Sequence, residues 1–423
     1  MIDPKLVRSH FPSLDPLRRG APPVVFFDNP AGTQIAAESL ARINDYLVQR
    51  NANHDGAFRA SRESDAMVRD ARAALADFLG ASRPEEICFG QNMTSLTMHL
   101  SRSLARELAP GDEVVVTRLD HDANVAPWLL AARDRDCVVK WVDFDPADCA
   151  WSIEQLARQV TKKTRIVAVG YASNATGTIN PVAEAARLAH EAGGLCFVDA
   201  VHAAPHEAID VTAIGCDFLV CSAYKFFGPH TGILWGRYDL LDRLSAYKVR
   251  PAGNAPPHKW ETGTQSFESI AGVLGAVEYL EWVGRTFSSG AGSARQTARP
   301  ATLRAAMACI REYETGLSRA MLDGLSSITG LKIRGIVDPA QLHRRVPTYS
   351  FTIDGWHPHK ICEELDAAGI YAWDGNYYAL EVTTRLGLEG KGGMVRVGAV
   401  HYNTPAEVEL LVSSVRSIAR HSP

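Results

Sequence analysis

Cys221-Ser222-Ala223-Tyr224-Lys225-Phe226-Phe227-Gly228-Pro229 follows directly on the apolar run Phe218-Leu219-Val220. The run reads as a buried strand and Gly228-Pro229 as the turn after it. Lys225 sits between aromatic neighbours at the strand's end. Burying an ammonium is costly unless its charge is paired or lost. An amine used covalently, as a Schiff base to an aldehyde cofactor, is one resolution. A lysine that snorkels past the aromatics to water is the other. The stretch alone leaves both open.

Upstream, Leu195-Cys196-Phe197-Val198-Asp199-Ala200-Val201-His202 is a second apolar run, closed by an aspartate and then a histidine. A carboxylate at the end of a buried strand can pair with a protonated pyridine nitrogen, the feature that makes pyridoxal phosphate (PLP) an electron sink. Between and before these runs, strands and helices alternate. Strands are expected at Glu113–Thr117, 138–144, 165–171 and Leu195–Asp199, with helices at 124–135, 153–160 and 182–192. Apolar strands separated by helices of this length imply a mostly parallel sheet covered on both faces. Ligands collect at the C-terminal strand ends of such sheets, where His121-Asp122-Ala123-Asn124 and Ser173-Asn174-Ala175-Thr176-Gly177-Thr178 lie. No strand is followed by GxGxxG and there is no P-loop, which disfavours a dinucleotide fold.

The earlier chain adds two turns. Val24-Val25-Phe26-Phe27 runs into Asp28-Asn29-Pro30-Ala31-Gly32-Thr33, a Gly-containing turn of the kind that lets backbone approach a ligand. A helix is expected over 36–49, an irregular polar stretch over 51–62, and a helix from Ser64, with Met67, Ala71, Leu75 and Phe78 at helical spacing and Gly80 as its stop. A short strand at 86–90 then meets Gln91-Asn92-Met93-Thr94-Ser95. Free N–H groups and the positive end of a helix dipole suit a phosphate there, although Ser and Thr are also ordinary N-caps. Downstream come a strand at 232–235, a loop with Glu261-Thr262-Gly263-Thr264, and a long helix over 267–283. Residues 285–298 carry the strongest linker signal. They divide a large domain, 21–288, from a small one made of an arm (1–20) and residues 289–423.

Composition excludes several classes. The chain has 423 residues, 46% apolar and 22% charged, with a net charge of −4, so no polyanion-binding surface is expected and nucleic acid is an improbable partner. The N-terminus lacks a signal-peptide pattern and no window is apolar enough for a membrane span. The eight cysteines form no CxxC pair, so neither a metal site nor a redox dithiol is signalled. The chain reads as cytoplasmic.

Strand–Asp-x-x-His followed by strand–Ser-x-x-Lys resembles the aminotransferase class V group of fold-type I PLP enzymes, the one that contains cysteine desulfurases, and the resemblance covers nearly the whole chain. It implies an α/β fold: a large domain with a mostly parallel seven-stranded sheet, plus a smaller C-terminal α+β domain. It implies Lys225 as the Schiff-base lysine, Asp199 as partner of the pyridine nitrogen, and His121 stacked on the ring. Asn174 would face the ring or the substrate carboxylate, and His202 would bond the ring's phenolic oxygen. Met93, Thr94, Ser222 and Tyr224 would hold the phosphate, and Thr264 would reach the phosphate of a second subunit in a homodimer. Arg396 would grip the substrate's α-carboxylate, as a bidentate guanidinium can, and the turn containing Asn29 would border the substrate. One position departs. In Ala372-Trp373-Asp374-Gly375-Asn376-Tyr377-Tyr378-Ala379-Leu380, Tyr378 stands where desulfurases carry a nucleophilic cysteine, and Cys362 reads as core. The resemblance therefore implies a PLP-dependent enzyme acting on an α-amino acid through an external aldimine, most simply a lyase cleaving by elimination or at a C–S bond. A true desulfurase using another cysteine, an amino-acid epimerase and a non-catalytic PLP-binding protein are the alternatives.

Overall fold

A computed structural model describes residues 2–15, 17, 23–288 and 298–420. In chain order the strands are β1 (Val25–Phe26), β2 (Ile87–Gly90), β3 (Glu113–Thr117), β4 (Val138–Val142), β5 (Thr164–Gly170), β6 (Leu195–Asp199), β7 (Phe218–Ser222) and β8 (Gly232–Gly236). The remaining five are β9 (Leu331–Arg334), β10 (Thr348–Ile353), β11 (Ile370–Tyr371), β12 (Trp373–Gly375) and β13 (Met394–Gly398).

Among the described residues, seven strands form the large sheet in the order β2-β8-β7-β6-β5-β3-β4. Neighbours from β7 to β4 are parallel, and β8 alone runs against them. Because β2 is antiparallel to β8, it points the same way as β7. The C-terminal ends of β2, β3, β5, β6 and β7 therefore meet at one edge. This matches the expected mostly parallel sheet, and the apolar runs explain it. Side chains alternate across a strand, so Val115, Val167, Val198 and Leu219 enter one core, with the Arg59–Leu79, Val182–Glu191 and Phe267–Phe287 helices. Val114, Val116, Ile166, Ala168, Phe197 and Val220 enter the other, with the Met93–Ala105 and Ala126–Asp134 helices. A strand buried on both faces has no polar position to spare, and each such side chain contributes about 1.5–3 kcal/mol of burial.

The C-terminal part builds a second, four-stranded antiparallel sheet, β12-β13-β10-β9. The Arg299–Ser326, Pro358–Ala367 and Pro405–Arg420 helices cover it around a separate core. β1 joins this part by pairing with β11, which carries the turn after Phe27 to the junction of the two domains, where Asp28 bridges Gly398.

Some boundaries differ from expectation. The helix expected from Ser64 begins at Arg59. Its first turn is polar and largely exposed, so no apolar periodicity marks it. The helix expected over 36–49 is α-helical at Ala37–Asp45 and widens to a π turn at Tyr46–Arg50. The helix expected to end at 283 runs on to Phe287, and the expected linker lies, for 289–297, outside the described residues. Among the described residues no helix is long and apolar enough to cross a membrane.

Candidate active site

The strand ends gather nine of the sequence-identified residues around one cavity: Met93, Thr94, His121, Asn174, Asp199, His202, Ser222, Tyr224 and Lys225. Lys225 ends a single 3-10 turn after β7 and is buried. Its Nζ donates to the carbonyls of Pro30 and Ala31, the latter at 2.9 Å, and no carboxylate bonds it directly. Burial and the neighbouring Arg396 charge lower its pKa to about 7, against the pull of Asp28 and Asp199. The snorkelling alternative fails, because the amine turns inward.

Asp199, at the end of β6, accepts from Val201 N at 2.9 Å, and burial raises its pKa to about 6. His121 follows β3. Its Nδ1 accepts from Ala123 N at 3.0 Å, so the neutral ring carries its proton on Nε2. Burial, with Lys225 and Arg396 nearby, lowers its pKa to about 4. His202 is buried, with Nε2 3.0 Å from Thr348 Oγ1.

The end expected from the sequence to take a phosphate lies at the start of the Met93–Ala105 helix. Asn92 and Ser95 form a reciprocal capping box, and the Met93 N–H donates to Ser222 Oγ at 3.0 Å. Gly232 on β8 permits this approach, because a Cβ there would fall on the backbone of Asn92. Tyr224 stacks on His230 with ring centroids 4.8 Å apart and planes 12° apart.

The other sequence-identified residues lie around this cavity rather than in its wall. Arg396, buried in β13, donates to the Asn174 carbonyl at 2.9 Å and lies 4.3 Å over the Tyr377 ring. Its Nε and the side-chain oxygen of Asn174 have no hydrogen-bond partner. Asn29 ties the turn to the small domain. Its amide donates to Phe26 O, Gly398 O and Asn403 Oδ1, and its oxygen accepts from Tyr402. Thr264 lines a different feature, a groove of about 660 Å³ of mixed polar and apolar lining, with Gln91, Ser95, Trp260 and Ile270.

Tyr378 is exposed, yet its ring stacks on His121 at 5.6 Å and 20°. Its carbonyl accepts from Asp122 N at 2.6 Å. Tyr377, the buried member of the pair, accepts at its carbonyl from Asn174 Nδ2 at 2.9 Å. Both tyrosines have φ near +57°, at 56° and 58°. Left-handed backbone at two consecutive bulky residues is strained, and the contacts to His121, Asp122 and Asn174 hold it. None of the eight cysteines lines this cavity or the groove.

Two carboxylates escaped the sequence reading. Asp120 lines the cavity and accepts from Thr117 Oγ1, Gly170 N and Asn124 Nδ2 at 2.8–3.0 Å. Asp28 has a buried oxygen without a partner, and burial raises its pKa to about 6 against Arg396 and Lys225. Each stands just past an apolar strand, the same signal that marked Asp199.

The aminotransferase class-V family model matches residues 25–298 and 289–411. The chain is 29% identical over 436 residues to a probable cysteine desulfurase of Streptomyces coelicolor, covering 99% of this chain and 97% of that one. It is 32% identical over 425 residues to the aminotransferase-like protein FGM3 of Gibberella zeae, covering 97% of each. The apo cysteine desulfurase from Thermococcus onnurineus NA1 shares the fold, with a TM-score of 0.86 at 24% identity over 99% of both chains. The chain belongs to the aminotransferase class-V family and is, with that family, a PLP-dependent enzyme of fold type I.

Proposed function

We propose that this enzyme cleaves an α-amino acid by elimination, as a C–S or related β-leaving-group lyase, without passing sulfur to a cysteine of its own. The observation that carries the reading is the Tyr377-Tyr378 loop closing on His121 with no thiol in the cavity wall. Burial also holds the cysteines in the thiol form. It pushes Cys362 and Cys149 up to about 12, whereas an attacking sulfur must be a thiolate.

The residues present fit PLP. A buried lysine with only carbonyl partners, a carboxylate on the neighbouring strand, a helix N-terminus and an unpartnered Asn174 oxygen match an aldehyde, a ring nitrogen, a phosphate and a polar ring edge. When bound, PLP supplies an electron sink for the pair left at Cα. The chain's own residues do the rest. Lys225 Nζ, poised near neutrality, takes the Cα proton. Asp199 sets its negative charge against the ring nitrogen. The neutral His121 ring limits tilt, and Arg396 offers Nε and its fork to the substrate carboxylate. The Tyr378 hydroxyl, beside His121 at the mouth, gives a proton to the leaving group. The Thr264 groove is separate from this cavity, so the threonine's phosphate role belongs to a second copy in a homodimer. Unpaired cysteines suit a reducing, cytoplasmic setting.

The test is product analysis. PLP-loaded enzyme is incubated with L-cysteine and other β-substituted amino acids, and a persulfide-specific label is read by peptide mass spectrometry. Release of an α-keto acid and ammonia, no labelled peptide, and no effect of Cys362→Ser support the lyase. Alanine as product, with a labelled cysteine essential for turnover, would restore the desulfurase that the relatives' names suggest.

A further inference from the structure

Behind the wall formed by His202 lies a buried polar cluster with no part in the reading above. Glu314, on the Arg299–Ser326 helix, is 1% exposed. Its Oε2 is 2.7 Å from His206 Nδ1, and its Oε1 is 3.8 Å from Nδ1 of the wholly buried His401. Tyr279, from the Phe267–Phe287 helix, closes the far side with its hydroxyl 2.6 Å from His401 Nε2. On the near side the His206 ring stands 5.8 Å from the His202 ring.

A carboxylate this deeply buried costs several kcal/mol unless it is paired and hydrogen-bonded. Among the described residues no lysine or arginine bonds Glu314. Arg311, one turn earlier, is committed to Glu207 at 2.6 Å and to the carbonyls of Arg345 and His343. The counter-charge is therefore a histidine. His401 is the weaker candidate: its Nδ1 lies 3.8 Å from the carboxylate, burial disfavours its cation, and its Nε2 shares a hydrogen bond with the Tyr279 hydroxyl. His206, at hydrogen-bond distance, holds the proton.

We propose that His206 and Glu314, backed by His401, form a fixed internal ion pair that positions His202 electrostatically, with its cationic end toward His202 so that this ring stays neutral. Lys225 and Arg396 lie on the active-site side of His202 with the neutral His121, and burial and the two cations act in the same direction on it. His401, Tyr279, Glu207 and Arg311 surround the pair on its other sides. With Nε2 engaged by Thr348, a neutral His202 leaves Nδ1 for a ligand. It adds a hydrogen bond without a third positive charge beside Lys225 and Arg396. His206 and Glu314 are thus positioning residues. Only the identity of that ligand, the cofactor's ring oxygen, rests on the proposed function.

The test uses histidine-labelled, cofactor-free protein, with ring signals followed by NMR from about pH 5 to about pH 9. In the wild type, His206 is expected to show the ring signals of the cation paired with Glu314, and His202 to titrate only toward the acid end of the series. In Glu314→Gln, checked for folding by circular dichroism, His202 should protonate at a midpoint about one pH unit higher, a tenfold change in its protonation ratio. Glu314→Asp should restore most of the difference. A neutral His206 in the wild type, readable even if the variant fails to fold, overturns the proposal. So does a His202 midpoint unmoved in Glu314→Gln. The visible band of the PLP-loaded proteins is titrated in parallel. If the NMR result holds while that band is the same in wild type and Glu314→Gln, the ion pair stands and the contact between His202 and the cofactor oxygen falls.

Discussion

The buried amine of Lys225 is expected to set the pH at which this protein reacts with an aldehyde. Withholding water from the ammonium and placing Arg396 nearby lower its pKa to about 7, with Asp28 and Asp199 resisting. At about pH 7 half of this amine is neutral, against roughly one part in 3,000 for an ordinary lysine. The neutral fraction, the form that attacks a carbonyl, is thus raised on the order of a thousandfold. The assay is reductive labelling of cofactor-free protein with formaldehyde and cyanoborohydride over a pH series, with each lysine peptide quantified by mass spectrometry. Limited access lowers the absolute rate at Lys225 but not its midpoint. That midpoint should lie near 7, whereas exposed Lys360, whose pKa Glu363 raises, should still be climbing at the alkaline end. Two variants fix the cause. Arg396→Gln removes a repelling cation and should move the Lys225 midpoint up. Asp28→Asn removes an attracting anion and should move it down. A Lys225 midpoint close to that of Lys360, or either variant moving the wrong way, refutes the reasoning.

Three further outcomes follow from the same geometry. In cofactor-free protein, Lys225→Met should melt higher than wild type at about pH 6, and the gap should close as pH rises through the window from about 7 to 10.5, where the unfolded chain holds a proton the folded one has shed; a constant gap across that window would exclude a buried, titrating amine. Tyr378→Phe, which keeps the ring on His121, should lower kcat on the order of a hundredfold with little change in KM if the hydroxyl is the proton donor, and full activity would leave the residue a packing role. Light scattering should give an isologous dimer in which Thr264→Ala loosens cofactor without dissociating the chains, and an active monomer would end that assignment.

Much of the fold was legible because strands buried on both faces leave uninterrupted apolar runs, and helices between them leave the 3.6-residue period. The nine cavity residues could be placed for a related reason: each follows a strand end or opens a helix, and the topology brings those points to one edge. What was not legible is what depends on contacts across the two domains. The ties of Asn29 to Phe26, Gly398, Asn403 and Tyr402 have partners mostly at the far end of the chain, which no local pattern marks. Tyr377 and Tyr378 could not be told apart by pattern. Their left-handed backbone turns one ring inward over Arg396 and the other outward onto His121. The Glu314 cluster was invisible because its histidines and carboxylate come from three separate segments, none with a motif of its own.

The ionisable groups of the site are better understood together than one by one. Lys225 and Arg396 bring two positive charges, Asp28, Asp199 and Asp120 are the carboxylates, and His121 and His202 add no charge. Burial draws four of these groups toward neutrality, with Asp28 and Asp199 at about 6 and Asp120 and Lys225 at about 7. Arg396 is lowered too but stays charged, as guanidinium groups do. The site therefore sits close to losing an ion pair to proton transfer, and the charge a ligand carries decides which way it goes. A ring cation opposite Asp199 favours its carboxylate. A substrate carboxylate, if held on Arg396 as proposed, would remove the repulsion that lowers Lys225 and so favour the lysine's proton. Asp199 and Asp28 are not interchangeable in this scheme. Asp199 lies in the cavity wall at a strand end, where a planar ligand can reach it. Asp28 lies on the domain-junction turn, where it answers Arg396 and Lys225. One carboxylate faces what enters the site, and the other keeps the cations in balance until it does.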